Sequence, residues 1–211
     1  MLNCLLFSKK LRFLSENVDE RADPDSAKWK ASPWQNVFKE RIEFVRQEVS
    51  DKIVLDNCCG VGWGTYKLAE VAKYVVGIDY SPEAINIANV KYLRANIRYL
   101  VMDALSLQFD DYYFDVVSAI EALEHFSYDD GIQFLREAKR VTKIGGKLIG
   151  STPAVNVRES VKYLMEKNKY HLCLYSYSML AEILDKVFGN HEIIFKNQGY
   201  FLFKATRLPS Y

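Results

Sequence analysis

Apolar residues recur along the chain at two different spacings, and the changes between them mark out its elements. Over residues 35–49, Phe38, Ile42 and Val45 fall about a helical turn apart with charged residues between them, which predicts a helix with one buried stripe. The next apolar run, Ile53-Val54-Leu55, is short and continuous, reads as a strand, and ends in Asp56. Asn57-Cys58-Cys59-Gly60-Val61-Gly62-Trp63-Gly64 follows, a glycine-rich turn that opens a helix. A second strand, residues 74–78, ends in Asp79 and leads into Ser81-Pro82-Glu83, where Ser81 caps a helix and Pro82 takes its first position. Ser127, with Asp130 three residues on, starts a helix whose Ile132, Leu135, Ala138 and Val141 share a face, and Gly145-Gly146 is expected to stop it. After Thr152-Pro153 the pattern loosens until residues 179–187, where Leu180, Ile183, Leu184 and Val187 mark a last helix. Residues 191–195 and 200–205 are β-rich and joined by Lys196-Asn197-Gln198-Gly199, a hairpin signal. The whole predicts an α/β chain: a mostly parallel sheet with one antiparallel strand from the C-terminal hairpin.

At 211 residues, just under half of them apolar, the chain is sized for one domain with a sizeable core. No apolar run approaches the ~18–20 residues of a membrane span. Residues 1–14 are rich in leucine and phenylalanine, but Ser8-Lys9-Lys10 interrupts them and no small-residue cleavage site follows. An amphipathic helix packing on the domain or on a partner, including a second copy of the chain, is expected there rather than a signal peptide. Four cysteines, Cys4, Cys58, Cys59 and Cys173, form no C-x-x-C pair, which points to a reducing, cytoplasmic setting.

The net charge is +1, unevenly laid out. Residues 99–135 contain no lysine or arginine, while Asp103, Asp110, Asp111, Asp115, Glu121, Glu124, Asp129 and Asp130 all fall there. A nucleic-acid path needs the opposite sign, so nucleic acid is not the expected partner. A solvated acidic face accounts for at least Asp110, Asp111 and Asp129.

The strand, small-residue turn, helix and second strand tipped by a carboxylate form the layout a nucleoside-bearing cofactor requires at the carboxyl ends of a parallel sheet. A dinucleotide fingerprint would place a third glycine where Thr65 stands and would keep the first strand apolar, whereas Asp56 ends it. An acid there suits a sulfonium or ammonium better than a pyrophosphate. On these residues the chain resembles the class I S-adenosylmethionine (SAM) dependent methyltransferases, closely over roughly residues 50–155 and loosely beyond. That resemblance implies a Rossmann-like, seven-stranded sheet with helices on both faces, and SAM as cofactor. It implies cofactor contacts at Asp56, Cys58, Cys59, Gly60 and Gly62 in the turn, with Cys58 where the family usually has glycine or alanine. Asp79 matches the ribose-binding acid, Tyr80 its neighbour against the adenine, and Asp103, with Ala104, the acid facing the adenine amino group. Phe114-Asp115-Val116-Val117-Ser118-Ala119-Ile120-Glu121 looks like the fourth strand, whose tip at Ile120 and Glu121 lies by the methionine end. Met102, Leu100 and Ile97 read as core.

For methyl transfer the largest contribution is holding the acceptor in line with the sulfur–carbon bond, and a hydroxyl acceptor also needs a base. Glu121-Ala122-Leu123-Glu124-His125 resembles the family's E-x-L-E-H stretch, with Glu124 read mainly as a helix-start acid and His125 as a packing histidine. Residues 154–176 are expected to cap the acceptor site, and residues 1–33 to form an N-terminal extension and lid to a domain over 34–211. Asn168-Lys169-Tyr170-His171-Leu172-Cys173-Leu174-Tyr175-Ser176 resembles a segment of bacterial glycan-associated methyltransferases, with Lys169 and Leu174 as departures. The resemblance thus implies a small-molecule acceptor, including a sugar or glycan-precursor hydroxyl. His171, then His125, then Glu121 are the candidate catalytic groups, with activity rising through the imidazole range. No metal is assigned. A non-catalytic SAM-binding partner subunit is the alternative, and a nicotinamide oxidoreductase is disfavoured by Asp56 and Thr65.

Overall fold

A computed structural model of the protein describes residues 23–32, 34–155, 168 and 170–209. The helix expected over residues 1–14, and most of the cap expected over 154–176, lie outside the described residues. A short helix α1 (Ala27–Lys30) precedes α2 (Gln35–Arg46). Then come β1 (Ile53–Asn57), α3 (Trp63–Leu68), β2 (Tyr74–Asp79), α4 (Pro82–Lys91), β3 (Ile97–Val101) and β4 (Phe114–Ile120). A single 3-10 turn (Leu123–His125) leads to α5 (Tyr128–Val141), β5 (Thr142–Pro153), α6 (Tyr177–Val187), β6 (His191–Lys196) and β7 (Tyr200–Thr206).

One seven-stranded sheet runs in the order β3-β2-β1-β4-β5-β7-β6. β1 to β5 are parallel, and β7 is antiparallel to both β5 and β6. Neighbouring residues of a strand face opposite sides, so a strand covered on both faces reads as a continuous apolar run. Val54, Val75, Val116 and Ile149 lie in one core with Ile42 of α2, Leu68 of α3 and Ala84 of α4. Leu55, Val76, Val117 and Leu148 lie in the other with Leu135 of α5 and Ile183 of α6. Among the described residues, no helix is long and apolar enough to cross a membrane.

The capping signals at Ser81 and Ser127 act as the sequence implies: their side chains accept from the backbone amides of Ala84 and Asp130 at the starts of α4 and α5. Ser176, not expected as a cap from the sequence, caps α6 in the same way by accepting from the Met179 amide. One stop signal is misplaced. Gly145-Gly146 does not end α5, which closes at Val141, where the Thr142 side chain donates to the Ala138 carbonyl at 2.6 Å. The glycines lie instead within β5, where its register with β4 jumps from Thr142 opposite Phe114 to Lys147 opposite Val116. A Cβ on Gly146 would stand 2.7 Å from the Asp115 carbonyl, so a close strand approach, not a helix end, requires that glycine.

From β1 the sheet grows to β2 and β3 on one side, and from β4 to β5 on the other. The chain therefore reverses direction of growth between β1 and β4, and the carboxyl ends of those strands flank a crevice, the place where α/β sheets hold ligands.

Candidate active site

A cavity of about 450 Å³ opens at that crevice. Cys58, Cys59 and Gly60 after β1, Asp79 and Tyr80 after β2, Asp103 and Ala104 after β3, and Ile120 and Glu121 after β4 all line it. His125 and His171 line it as well. Eleven of the thirteen residues singled out from sequence thus share one wall.

The turn after β1 is fastened to the tip of β2. The Gly60 amide donates to Asp79 Oδ2 at 2.9 Å, the Ser81 amide to Asp79 Oδ1 at 3.0 Å, and the Cys59 amide to the Ile78 carbonyl at 2.7 Å. Cys58, Gly60 and Gly62 all have left-handed backbone, with φ of 65°, 56° and 88°. A Cβ at that conformation costs roughly 1–2 kcal/mol, so glycine would be free of a strain that Cys58 carries. Both turn thiols are held protonated, because burial and the nearby carboxylates push their pKa well up.

Asp56 and Gly62 do not line the cavity. Asp56 is buried one layer behind, where the Thr65 hydroxyl donates to its Oδ2 at 2.6 Å. Burial pushes its carboxyl up to about 6, against the pull of the Thr65 bond. It holds the first turn of α3 to β1. Gly62 is the N-cap of α3, and a Cβ there would lie 2.7 Å from the Ala88 Cβ and 2.8 Å from the Tyr99 hydroxyl. Its missing side chain lets α3 approach α4 and β3.

At the opposite end of the cavity, Glu121 has φ 52° and a fixed carboxylate: Arg41 Nη1 lies 2.9 Å from Oε2, and the Ser151 hydroxyl donates to Oε1 at 2.9 Å. Arg41 in turn lies over the Tyr200 ring, 4.3 Å from its centroid. Glu124 is no exposed helix-start acid. It is fully buried, accepts from the Thr152 hydroxyl at 3.0 Å, and its Oε1 has no hydrogen-bond partner. Burial, then the charge of Glu121, pushes its carboxyl well up. The His125 and His171 rings meet edge to face with centroids 5.4 Å apart. Burial, helped by His125, lowers the His171 pKa from 6.5 to about 4, so His171 is uncharged across the neutral range, and activity has no rise to gain from its titration near 6.5. His125 Nδ1 lies 3.2 Å from the Tyr170 carbonyl.

Met102 lines the cavity although its run reads as core, and Trp29 and Phe38 reach it from α1 and α2. Trp29 stacks at a tilt on Phe38, centroids 5.9 Å apart. The segment before α1 is tied to the domain by Asp25, which accepts from Trp63 Nε1 at 3.1 Å, and by Asp23, paired with Lys91. With Asp79, Asp103, Glu121 and Glu124 against Arg41, the lining is acidic and complements a cationic ligand. The size, the strand-tip carboxylate and the close backbone of residues 58–60 fit a nucleoside bearing a sulfonium.

Residues 55–150 match the family model described as a methyltransferase domain. Over those residues the chain is similar to the SAM-dependent methyltransferases. It is 32% identical over 146 residues to a Mycolicibacterium smegmatis protein named as a probable S-adenosylmethionine-dependent methyltransferase, covering 62% of this chain and 55% of that protein. It is 31% identical over 127 residues to the ubiquinone biosynthesis O-methyltransferase of Coxiella burnetii, covering 58% and 53%. The chain spans about half the length of these curated relatives. Among solved structures, the methyltransferase fold recurs in the geranyl diphosphate C-methyltransferase of Streptomyces coelicolor, bound to Mg2+, geranyl diphosphate and S-adenosyl-L-homocysteine (TM-score 0.73, 13% identity, 94% of this chain and 98% of that one). It recurs also in the YcgJ protein of Bacillus subtilis (TM-score 0.71, 16% identity, 82% and 100%). Those two likenesses are of fold alone.

Proposed function

We propose that this methyltransferase moves the methyl group of SAM to a hydroxyl of a small acceptor, with a sugar or glycan-precursor hydroxyl as the first reading. When bound, SAM supplies an electrophilic methyl group on a sulfonium. Asp79 accepts from both ribose hydroxyls, since a carboxylate holding two backbone amides still has lone pairs to offer. Tyr80 lies on the adenine, and Asp103 and Ala104 take its amino edge. Cys58, Cys59, Gly60, Ile120 and Glu121 surround the methionine part.

The acceptor end is the stretch of wall from Trp29 to Glu124, His125 and His171. The observation that carries the reading is the division of the cavity: a strand-tip carboxylate laced to a tight turn at one end, two imidazole rings packed edge to face beside a buried acid at the other. With its low pKa His171 is a weak base, so its role is to orient the acceptor oxygen, and in-line positioning supplies most of the rate. The identity with the Coxiella burnetii enzyme, named for O-methylation in ubiquinone biosynthesis, supports a second acceptor, an oxygen of a quinone precursor. Residues 23–32 act as the lid, through Trp29. The cytoplasmic setting rests on the unpaired thiols of Cys58, Cys59 and Cys173.

The test is transfer of labelled methyl from SAM to panels of glycan precursors and quinol head groups. It runs beside calorimetric titration with SAM, S-adenosylhomocysteine and NAD. Binding of SAM and its product but not NAD, with acceptor-dependent turnover, is expected. Binding without turnover on any hydroxyl would instead favour a non-catalytic SAM-binding partner subunit.

A further inference from the structure

Glu124, His125 and His171 each direct one ligand-type atom into the acceptor end of the cavity, and all three atoms lie within 4.8 Å of one another. A divalent ion ~2.0–2.2 Å from each donor separates donor atoms by roughly 3–4 Å, so small side-chain adjustments close this cluster on one ion. Two unsatisfied groups sit in it. Glu124 Oε1 is fully buried without a partner, and His171 Nδ1 is buried without one as well. A buried polar atom left unpaired is costly, and such atoms mark where something else belongs.

We infer that Glu124, His125 and His171 form a binding site for one divalent transition-metal ion, which holds the acceptor oxygen. The donor set decides the class of ion. One carboxylate and two imidazoles suit Mn2+, Fe2+, Co2+ or Zn2+, whereas Ca2+ and Mg2+ prefer all-oxygen surroundings. The surroundings already orient the ligands. His125 Nδ1, donating to the Tyr170 carbonyl, fixes the ring in the tautomer whose Nε2 can ligate. The Thr152 hydroxyl holds Glu124 Oε2 and leaves Oε1 to ligate. For His171 the ion takes Nδ1, and the side-chain amide of Asn168, 3.0 Å from Nε2, then turns its oxygen to Nε2–H and gives up the hydrogen bond that this oxygen accepts from the Tyr170 amide at 3.0 Å. Burial keeps His171 in its neutral, ligating form. The ion also supplies the positive charge that buried Glu124 lacks.

Three protein ligands leave positions open to the cavity, as in metal sites that hold a substrate. A hydroxyl bound there loses its proton to water more readily. As the oxygen–carbon bond forms, the sulfur–carbon bond breaks, its electron pair stays on sulfur, and the sulfonium becomes a neutral thioether. The role of the ion rests on the methyltransferase reading above; its binding does not.

The chain has three histidines, and His191 lies away from the cavity, paired with Asp185. In the tag-free, metal-stripped protein, Mn2+ or Co2+ should broaden or shift the imidazole NMR signals of His125 and His171 and leave His191 unchanged. Calorimetry with Zn2+ should give one site, and Glu124→Gln or His171→Asn should weaken it by about 10–100-fold. Binding of S-adenosylhomocysteine should stay within a few-fold, showing an intact fold and cofactor pocket. No saturable Zn2+ site, Zn2+ binding unchanged in folded variants, or a response at His191 in place of the other two overturns the proposal. If a variant does not fold, the wild-type NMR experiment decides alone. Loss of S-adenosylhomocysteine binding in the wild type would sink the methyltransferase reading and leave the metal result standing.

Discussion

Asp79 Oδ2 accepts the Gly60 amide at 2.9 Å, so the carboxylate at the tip of β2 holds the backbone of the turn that follows β1. The Ser81 amide occupies its other oxygen at 3.0 Å, at the start of α4. One side chain thus joins two parallel strands at their carboxyl ends and shapes the cavity wall between them.

Two losses should therefore appear together in Asp79→Ala. Ribose hydrogen bonds to a charged acceptor are worth roughly 1.5–3 kcal/mol each, so SAM affinity should fall at least about 100-fold. The freed Gly60 and Ser81 amides should lower stability by a further ~1–3 kcal/mol. Asp79→Asn, which keeps one acceptor oxygen, should lose less of both. Calorimetry with SAM and thermal melts separate the two effects. A folded Asp79→Ala that binds SAM as wild type does would refute the ribose assignment.

Gly62→Val should lower stability before it touches binding. The backbone there is left-handed, and the new Cβ would press on Ala88 and Tyr99 within 2.9 Å. Conformational strain of ~1–2 kcal/mol and overpacking of ~1–3 kcal/mol add up to a large share of a domain's stability. The expected result is a much lower melting temperature or insoluble protein. A stable variant that has lost only SAM would restore Gly62 to the cavity wall.

Gly62 and Asp56 show where the sequence stops being legible. Motif order located Asp56 at the end of β1 and Gly62 in the turn after it, and strand tips, caps and hairpin followed from spacing and turn chemistry. Which way Gly62 faces is decided by the packing of α3 on α4 and β3, through Ala88 and Tyr99, and the Asp56 carboxyl is held by Thr65 on α3, nine residues on. Met102 escaped for the same reason, since an apolar residue just past a strand end reads as core whether it meets core or ligand. Trp29 and Arg41 carry no motif at all. Glu124 did carry a signal, in its E-x-L-E-H spacing, but its burial comes from the 3-10 turn, whose Glu124 carbonyl accepts the Leu172 and Cys173 amides at 2.8 and 3.2 Å.

Trp29 tests the lid. It is half-buried at the cavity, on a segment pinned by Asp23 and Asp25. Trp29→Ala should raise the acceptor KM about tenfold, with S-adenosylhomocysteine affinity within about twofold. An unchanged KM would remove α1 from the acceptor site.

The acid stability of the protein should reveal Asp56 and His171 pulling in opposite directions. Folding raises the Asp56 pKa from 3.8 to about 6, so between those values the folded state binds more protons than the unfolded, and this group makes stability rise as pH falls from 6 toward 4. Folding lowers the His171 pKa from 6.5 to about 4, so there the unfolded state binds more protons, and this group makes stability fall as pH drops through the same window. In the wild type the two slopes offset each other. Asp56→Asn, which can still accept from Thr65, should leave the histidine unopposed and steepen the loss of stability between pH 6.5 and 4. His171→Asn should leave the acid unopposed and flatten that loss or reverse it. Urea unfolding of metal-stripped protein at several pH values from 7.5 down to 4 measures these slopes, and carboxylates common to all three proteins cancel in the comparison. Parallel curves for wild type and both variants would mean that neither group is held away from its ordinary pKa by burial.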